Sequence, residues 1–360
     1  MDIIANKTVV EETSKVLVEN QADWVRRFKR LAKGICRNEE NYKAISKLFH
    51  TPGSIDTFTS MSRPGTNSID LRFAGLSIGN IVANSKDDIT LEVSERQAEY
   101  ARKLRPAEYA WKLKYEKFQK FPPTEWHDKL PSNYRSFYKH QESTHAIKDT
   151  IKSLKEEVRI EHWILKEMKS HTNHLLRNIS PILLCDHFFK MPVPINASNH
   201  TIPPEYLKSY GYMDIFASVK HGSNKDNRLA IIELKDENKD TESQCLALQQ
   251  SLIYSTFIAH LLCSEIGDIW WNIFKNSKGT SIPKKEIKID AVSLMPSDGN
   301  SCECKDFSPI PVSILGCDKK VTIYPYKLYY SKDSNQNPCK FKGTNDYNDS
   351  LDGSYNIVLP

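Results

Sequence analysis

Residues 210–235 constrain this chain more than any other stretch. Tyr210-Gly211-Tyr212-Met213-Asp214-Ile215-Phe216-Ala217 and Leu229-Ala230-Ile231-Ile232-Glu233-Leu234-Lys235 are short apolar runs of strand type, and each carries an acid where a buried sheet ordinarily carries none. A carboxylate at the end of a buried strand needs a cation or a hydrogen-bond network to compensate it. Side chains alternate along a strand, so Glu233 and Lys235 emerge on one face while Leu234 points into the opposite core. A neighbouring hairpin strand can set Asp214 beside Glu233. That gives two hard oxygen ligands of the kind Mg²⁺ prefers, with a lysine next to them. A solvated strand face carrying alternate charges is the bland alternative to a Glu-x-Lys pair taken alone.

The order Asp…Glu-x-Lys resembles the PD-(D/E)XK nuclease superfamily, the restriction-endonuclease-like phosphodiesterases. The coarse element pattern agrees with that resemblance over about 150–330: a helix from His145 to Leu176, strands at Ile182–Phe189, Tyr212–Val219 and Leu229–Lys235, an apolar helix over Glu242–Cys263, and strands at Ile287–Leu294 and Val321–Tyr330. The resemblance implies an α/β (α+β) fold with a mixed central sheet flanked by helices. It also implies one or two Mg²⁺ or Mn²⁺ held by Asp214, Glu233 and the main-chain carbonyl of Leu234, with Lys235 assisting the attacking water.

Two further features join the site through the same resemblance. On the helix before the first core strand, Glu161 falls within the apolar stripe of Ile151, Leu154, Val158, Leu165 and Met168, so it should face inward. Relatives often carry an auxiliary metal-binding glutamate there; Glu157 is the runner-up, and an edge glutamate curling to solvent is the bland reading. Downstream, Gln250 and Tyr254 stand at i and i+4, stacked on one helical face among Leu246, Ile253, Phe257 and Leu261. Their spacing is similar to the Gln-x-x-x-Tyr motif of the RecB-like and Cas4-like branch, where the pair orients the active site and nucleic acid. Two departures stand out: Met213 replaces the namesake proline, and no cysteine quartet brackets the segment, so no iron–sulfur cluster is expected.

The first 140 residues read as a smaller helical and antiparallel-β domain that chooses the substrate or a protein partner. Residues 14–50 look helical, with Trp24, Val25, Phe28, Leu31 and Ile35 on one face and a solvated basic set, Arg26, Arg27, Lys29 and Arg30, between them. Residues 68–93 alternate as strands. Residues 95–120 resume helix and mix lysine and arginine with aromatics, a composition that suits phosphate contact and base stacking; an amphipathic helix with wet lysines is the alternative. Residues 121–146 read as a linker, 145–330 as the nuclease domain, and 331–360 as a poorly packed polar extension.

A net charge of +5 permits a polyanionic partner without naming one. Cys302, Cys304, Cys317 and Cys339 lack the paired spacing of a zinc ribbon and are expected as unpaired loop thiols, with a structural zinc as the alternative. With no apolar leader or membrane span in view, a reducing cytoplasmic setting is expected. The reading is therefore a Mg²⁺- or Mn²⁺-dependent DNA endonuclease, by family habit in restriction or antiviral defence and often working as a homodimer. Two alternatives stay open: a catalytically silent nucleic-acid or partner-binding protein on the same scaffold, and a nuclease acting on RNA.

Overall fold

The computed structural model describes residues 5–49, 55–60, 68–73, 76–85, 88–94, 118–121, 156–170, 179–221, 226–235, 243–275, 282–283, 285–296, 306–332 and 338–344. In chain order come helices α1 (Asn6–Glu19), α2 (Gln21–Arg37) and α3 (Glu39–Phe49), then strands β1 (Ile55–Ser60), β2 (Ser68–Phe73), β3 (Leu76–Ser85), β4 (Asp88–Ser94) and β5 (Phe118–Phe121). Helix α4 (Glu156–Ser170) leads to β6 (Ile179–Pro181), β7 (Leu183–Leu184), β8 (His187–Phe188), β9 (Pro192–Asn196) and β10 (Glu205–Tyr212). Strands β11 (Ile215–His221) and β12 (Asp226–Leu234) precede helices α5 (Gln244–Cys263) and α6 (Gly267–Lys275). Strands β13 (Glu286–Pro296), β14 (Ile310–Val312), β15 (Lys320–Lys332) and β16 (Pro338–Thr344) follow. The class is mixed α/β, with helices and several sheets.

Two compact units, each discontinuous in sequence, divide the chain. One comprises Met1–Lys29, Trp163–Ile182 and Lys190–Pro360; the other comprises Arg30–His162 and Leu183–Phe189. The first 29 residues therefore pack with the second half of the sequence.

The first unit is built on a sheet of order β14-β15-β13-β12-β11-β6, with β16 also paired to β15. Strands β6, β11 and β12 form an antiparallel meander; β12, β13 and β15 run parallel. Parallel neighbours need a crossover, and α5 with α6 supplies it between β12 and β13. Burial on both faces explains the near-continuous apolar runs Leu229–Leu234 and Ala291–Pro296. The polar tail expected from residue 331 onward instead extends β15 to Lys332 and supplies β16, which pairs antiparallel with it from Lys327↔Thr344 to Lys332↔Pro338.

Helix α5 is buried on every side, polar residues such as Gln250, Ser251 and Thr256 included, as a core helix is. By length and composition it could cross a membrane, yet 94% of the qualifying window is buried inside the protein, where it packs against α1, β12, β13 and β15. Trp24 and Phe28 of α2 meet Phe257 of α5 at 5.7 and 4.9 Å between ring centres, and the buried Trp24 indole donates to the Leu17 carbonyl at 2.9 Å. The helical region expected at 14–50 is thus present as three helices. Asn20 closes α1 by donating its side chain to the Val16 carbonyl at 2.9 Å.

The cysteines differ from expectation. Cys317 is disulfide-bonded to Cys263 at the end of α5, with a Cα–Cα separation of 5.4 Å, and Cys245 is also in a disulfide. Cys302 and Cys304 lie outside the described residues. The two cysteines are 54 positions apart, and spacing alone does not define such a pairing.

A tight connection joins α5 to α6. The Gly267 amide donates to the Ser264 carbonyl at 3.0 Å, and a Cβ placed on Gly267 would lie 2.2 Å from the Leu262 carbonyl oxygen. Because that neighbour is backbone, it cannot swing aside. Gly267→Ala is expected to destabilise the protein by about 1–3 kcal/mol. Gly34→Ala in α2, where an added Cβ meets nothing within 4 Å, should stabilise by about 1 kcal/mol. Urea midpoints of the two variants moving in opposite directions is the result to look for.

The second unit holds a sheet of order β5-β4-β3-β2-β1-β8-β7. The antiparallel set expected over 68–93 is its centre, β2-β3-β4. Helix α3 packs on it at β3. His187 bridges the Thr57 hydroxyl at 2.7 Å and the Tyr42 carbonyl at 3.0 Å, tying β8 to β1 and to α3.

The single strand expected at Ile182–Phe189 is a two-residue hairpin instead, β7 turning into β8. Cys185 and Asp186 take φ of 50° and 70° there, the doubly left-handed geometry of a tight hairpin turn. Residues 118–121 form β5 rather than helix or linker; the rest of the expected basic helix, 95–117, and of the linker, 122–146, lies outside the described residues. So do 145–155 and 171–176 of the expected long helix.

Candidate functional site

The Asp…Glu-x-Lys residues meet where the antiparallel meander ends. Ile215 pairs with Ile232 in the β11–β12 ladder, so one step further puts Asp214 opposite Glu233. Asp214 accepts the Leu234 N–H at 3.1 Å, which pins that carboxylate against the end of β12. The Lys235 ammonium donates to Glu233 Oε1, also at 3.1 Å. Leu234 points away and is fully buried. The alternation read from sequence is what the strand delivers.

Burial decides the electrostatics. Glu233 and Lys235 are each only 5% exposed, and Glu233 Oε2 is buried without a hydrogen-bond partner. Desolvation is the first cause that raises the Glu233 carboxyl well above its ordinary range, and the Asp214 carboxylate adds to it; Lys235 pulls the other way. Two acids this close, with one cation, leave an uncompensated negative charge or a retained proton. A divalent cation fits this donor set, since hard carboxylate oxygens are its preferred ligands.

Helix α5 brings Gln250 and Tyr254 to the same neighbourhood. Ser251 donates to the Ile231 carbonyl at 2.7 Å, which seats the helix on β12. Gln250 is 2% exposed and its Oε1 is without a partner. Tyr254 has its hydroxyl proton held more tightly than usual, first by burial and then by the charges of Glu233 and Asp214.

Glu161 is buried, as its place in the apolar stripe implies. It belongs to the second unit, where its charge acts on Arg72; the adjacent His162 sits 3.1 Å from Asp56. Among the described residues no three His, Cys, Asp or Glu side chains come together as a metal-holding group, so the acids assembled at the end of β12 are a pair.

Two tyrosines of β15, Tyr329 and Tyr330, neighbour this site with no local sequence signal to announce them. The Lys235 amide extends the β12–β13 ladder by donating to Leu294 at 3.0 Å, and Met295 pairs with Tyr329 on β15, so Lys235 and Tyr329 share a register row. Tyr329 donates to the buried Gln244 carboxamide at 2.8 Å, while the Tyr330 hydroxyl donates to the Lys235 carbonyl at 3.1 Å. Alternation along Val321–Tyr330 marks a strand but gains meaning for the site only with the strand order. Scans against protein-family models, curated proteins and solved structures return no match for this chain.

Proposed function

We propose that this protein is a divalent-metal-dependent nuclease of restriction-endonuclease-like architecture that hydrolyses DNA phosphodiester bonds. The observation that carries the reading is Glu233: a buried carboxylate with one oxygen on Lys235, the other without a partner, and Asp214 beside it. The connectivity supports it too. A helix, an antiparallel meander of three core strands, a crossover helix and a parallel fourth strand occur in the order that the Asp…Glu-x-Lys resemblance implies, with β7 to β10 as an insertion between the first and second core strands.

Asp214 and Glu233 would hold the cation, which when bound supplies Lewis-acid polarisation of the phosphate and a lower pKa for the attacking water. Lys235 orients that water or offsets charge building on the phosphoryl oxygens. Gln250 and Tyr254 hold α5 and the substrate strand in register.

Labelled single- and double-stranded DNA and RNA incubated with Mg²⁺, Mn²⁺ or a chelator test the proposal. Cleavage of DNA that a chelator abolishes is the expected result. Metal-independent binding with no cleavage of any substrate under either cation would replace it with the silent-scaffold alternative, and cleavage confined to RNA would move the substrate class.

A further inference from the structure

The ladder that carries Glu233 and Lys235 loses a donor at the lysine. In a parallel pair, a residue donates its N–H to one neighbour of the residue opposite and accepts from the N–H of the other. The end of the β12–β13 pair follows that rule: Leu234 pairs with Leu294, and the Lys235 N–H donates to the Leu294 carbonyl at 3.0 Å. Lys235 therefore stands opposite Met295, and the ladder calls for the N–H of residue 296 at the Lys235 carbonyl. Residue 296 is proline, which has none. The donor comes from one strand further on. The Tyr330 hydroxyl donates to the Lys235 carbonyl at 3.1 Å, and Tyr330 is the residue paired with Pro296 in the β13–β15 ladder.

Sidedness keeps this tyrosine out of the chemistry. Leu234, Leu294 and Leu328 share a register row, so alternation puts Tyr330, two residues past Leu328, on the sheet face of Leu234. Glu233 and Lys235 flank Leu234 and project from the opposite face. Tyr330 is completely buried and holds the lysine main chain from behind. That hold matters because a lysine reaches its target on a flexible four-carbon stem, and its ammonium is placed only as well as the backbone beneath it. Strand β12 ends at Leu234, so Lys235 is the first residue past it. Asp214 takes the Leu234 N–H at 3.1 Å on the β11 side, and Leu294 and Tyr330 fix the Lys235 N–H and carbonyl on the β13 side. On that footing the ammonium stands 3.1 Å from Glu233 Oε1.

We infer that Tyr330 is a positioning residue for Lys235: its hydroxyl takes the place of the N–H that Pro296 lacks and so sets where the lysine ammonium stands relative to the attacking water and the phosphoryl oxygens. The inference rests on the nuclease reading above. Tyr330→Phe keeps the buried ring and removes only the donor, which isolates the effect. Misplacing a catalytic group by about 1 Å costs on the order of a hundredfold in rate, and a carbonyl released from its donor at the end of a strand shifts by a fraction of that.

The test measures kcat, KM and Mn²⁺ affinity for the full-length wild type, Tyr330→Phe and Tyr330→Phe/Pro296→Val on the labelled nucleic acid that the wild type cuts, each well below its melting temperature. Tyr330→Phe should lower kcat about thirtyfold, with KM and the calorimetric Mn²⁺ affinity within about twofold of wild type, because the two acids are untouched. Valine at 296 returns an N–H to the place where the ladder calls for one, in a side chain close to proline in volume. The double variant should therefore recover kcat to within about threefold of wild type, a rescue that lost packing alone would not show. Pro296→Ala carries the same N–H and replaces the valine if that chain does not melt cooperatively. Wild-type kcat in Tyr330→Phe, on a substrate the wild type cleaves, overturns this inference and leaves the nuclease reading standing. So does a loss of kcat that the restored N–H leaves unchanged in a folded chain. A wild type that cuts neither DNA nor RNA overturns both.

Discussion

Glu233→Gln is expected to lower divalent-dependent cleavage by about a thousandfold or more while leaving the protein folded. The carboxamide keeps the shape of the side chain and an oxygen for Lys235 Nζ, now 3.1 Å from Glu233 Oε1, but it cannot offer the cation an anionic oxygen. Stability should move the other way. Burial and Asp214 raise the Glu233 carboxyl above its ordinary 4.5, so over the interval between that value and the raised one the metal-free native state holds a proton that the unfolded chain has released. More protons bound in the native state means stability that falls as pH rises through that interval. Glutamine has nothing to titrate. The metal-free variant should therefore melt at or above the wild-type temperature at neutral pH, and the gap should close toward pH 4. Cleavage time courses with Mg²⁺ and Mn²⁺, paired with thermal melts across pH, read both effects; undiminished cleavage would remove the acid pair from the chemistry.

The legible part of this site is the part set by short-range geometry. Period-two alternation put Glu233 and Lys235 on one face, and helical i,i+4 spacing put Gln250 above Tyr254; both follow from local backbone alone. Asp214 was legible because a hairpin register carries it to Glu233. What escaped depends on contacts distant in sequence. Arg27 reads as a wet cation until the β10 bulge leaves carbonyls for it. Cys185-Asp186 reads as the middle of an apolar strand because only the adopted φ values reveal a turn. Gln244 finds Tyr329 across 85 residues, and the first 29 residues join the later half of the chain because α1 packs on α5.

Asp290→Ala is expected to cost about 3–5 kcal/mol of stability, the largest structural loss from a single truncation proposed for this protein. Asp290 is completely buried on β13, and Arg228 of β12 lies 3.3 Å from it with a side chain only 10% exposed. Ala230 pairs with Asp290 and Asp290 with Tyr324, so Arg228 and Asp290 occupy the sheet face that Glu233 does not. Arg228 also donates to the Tyr326 hydroxyl at 3.3 Å and lies 4.3 Å over the Tyr324 ring. Removing the carboxylate takes a charged partner from a guanidinium that is only 10% exposed, and a buried cation that loses a counter-charge costs more than one lost hydrogen bond. Removing both charges avoids that penalty. Arg228→Met/Asp290→Leu should regain most of the stability lost in Asp290→Ala, because an ion pair taken out of water gains little over well-packed apolar side chains of similar size. Urea unfolding of the wild type, Arg228→Met, Asp290→Leu and the double variant closes the cycle, with Asp290→Ala measured beside it. A double variant as unstable as Asp290→Ala would mean that the pair, with its two tyrosines, contributes net stability of its own; a single variant within about 1 kcal/mol of wild type would mean that Arg228 escapes to solvent when its partner is gone.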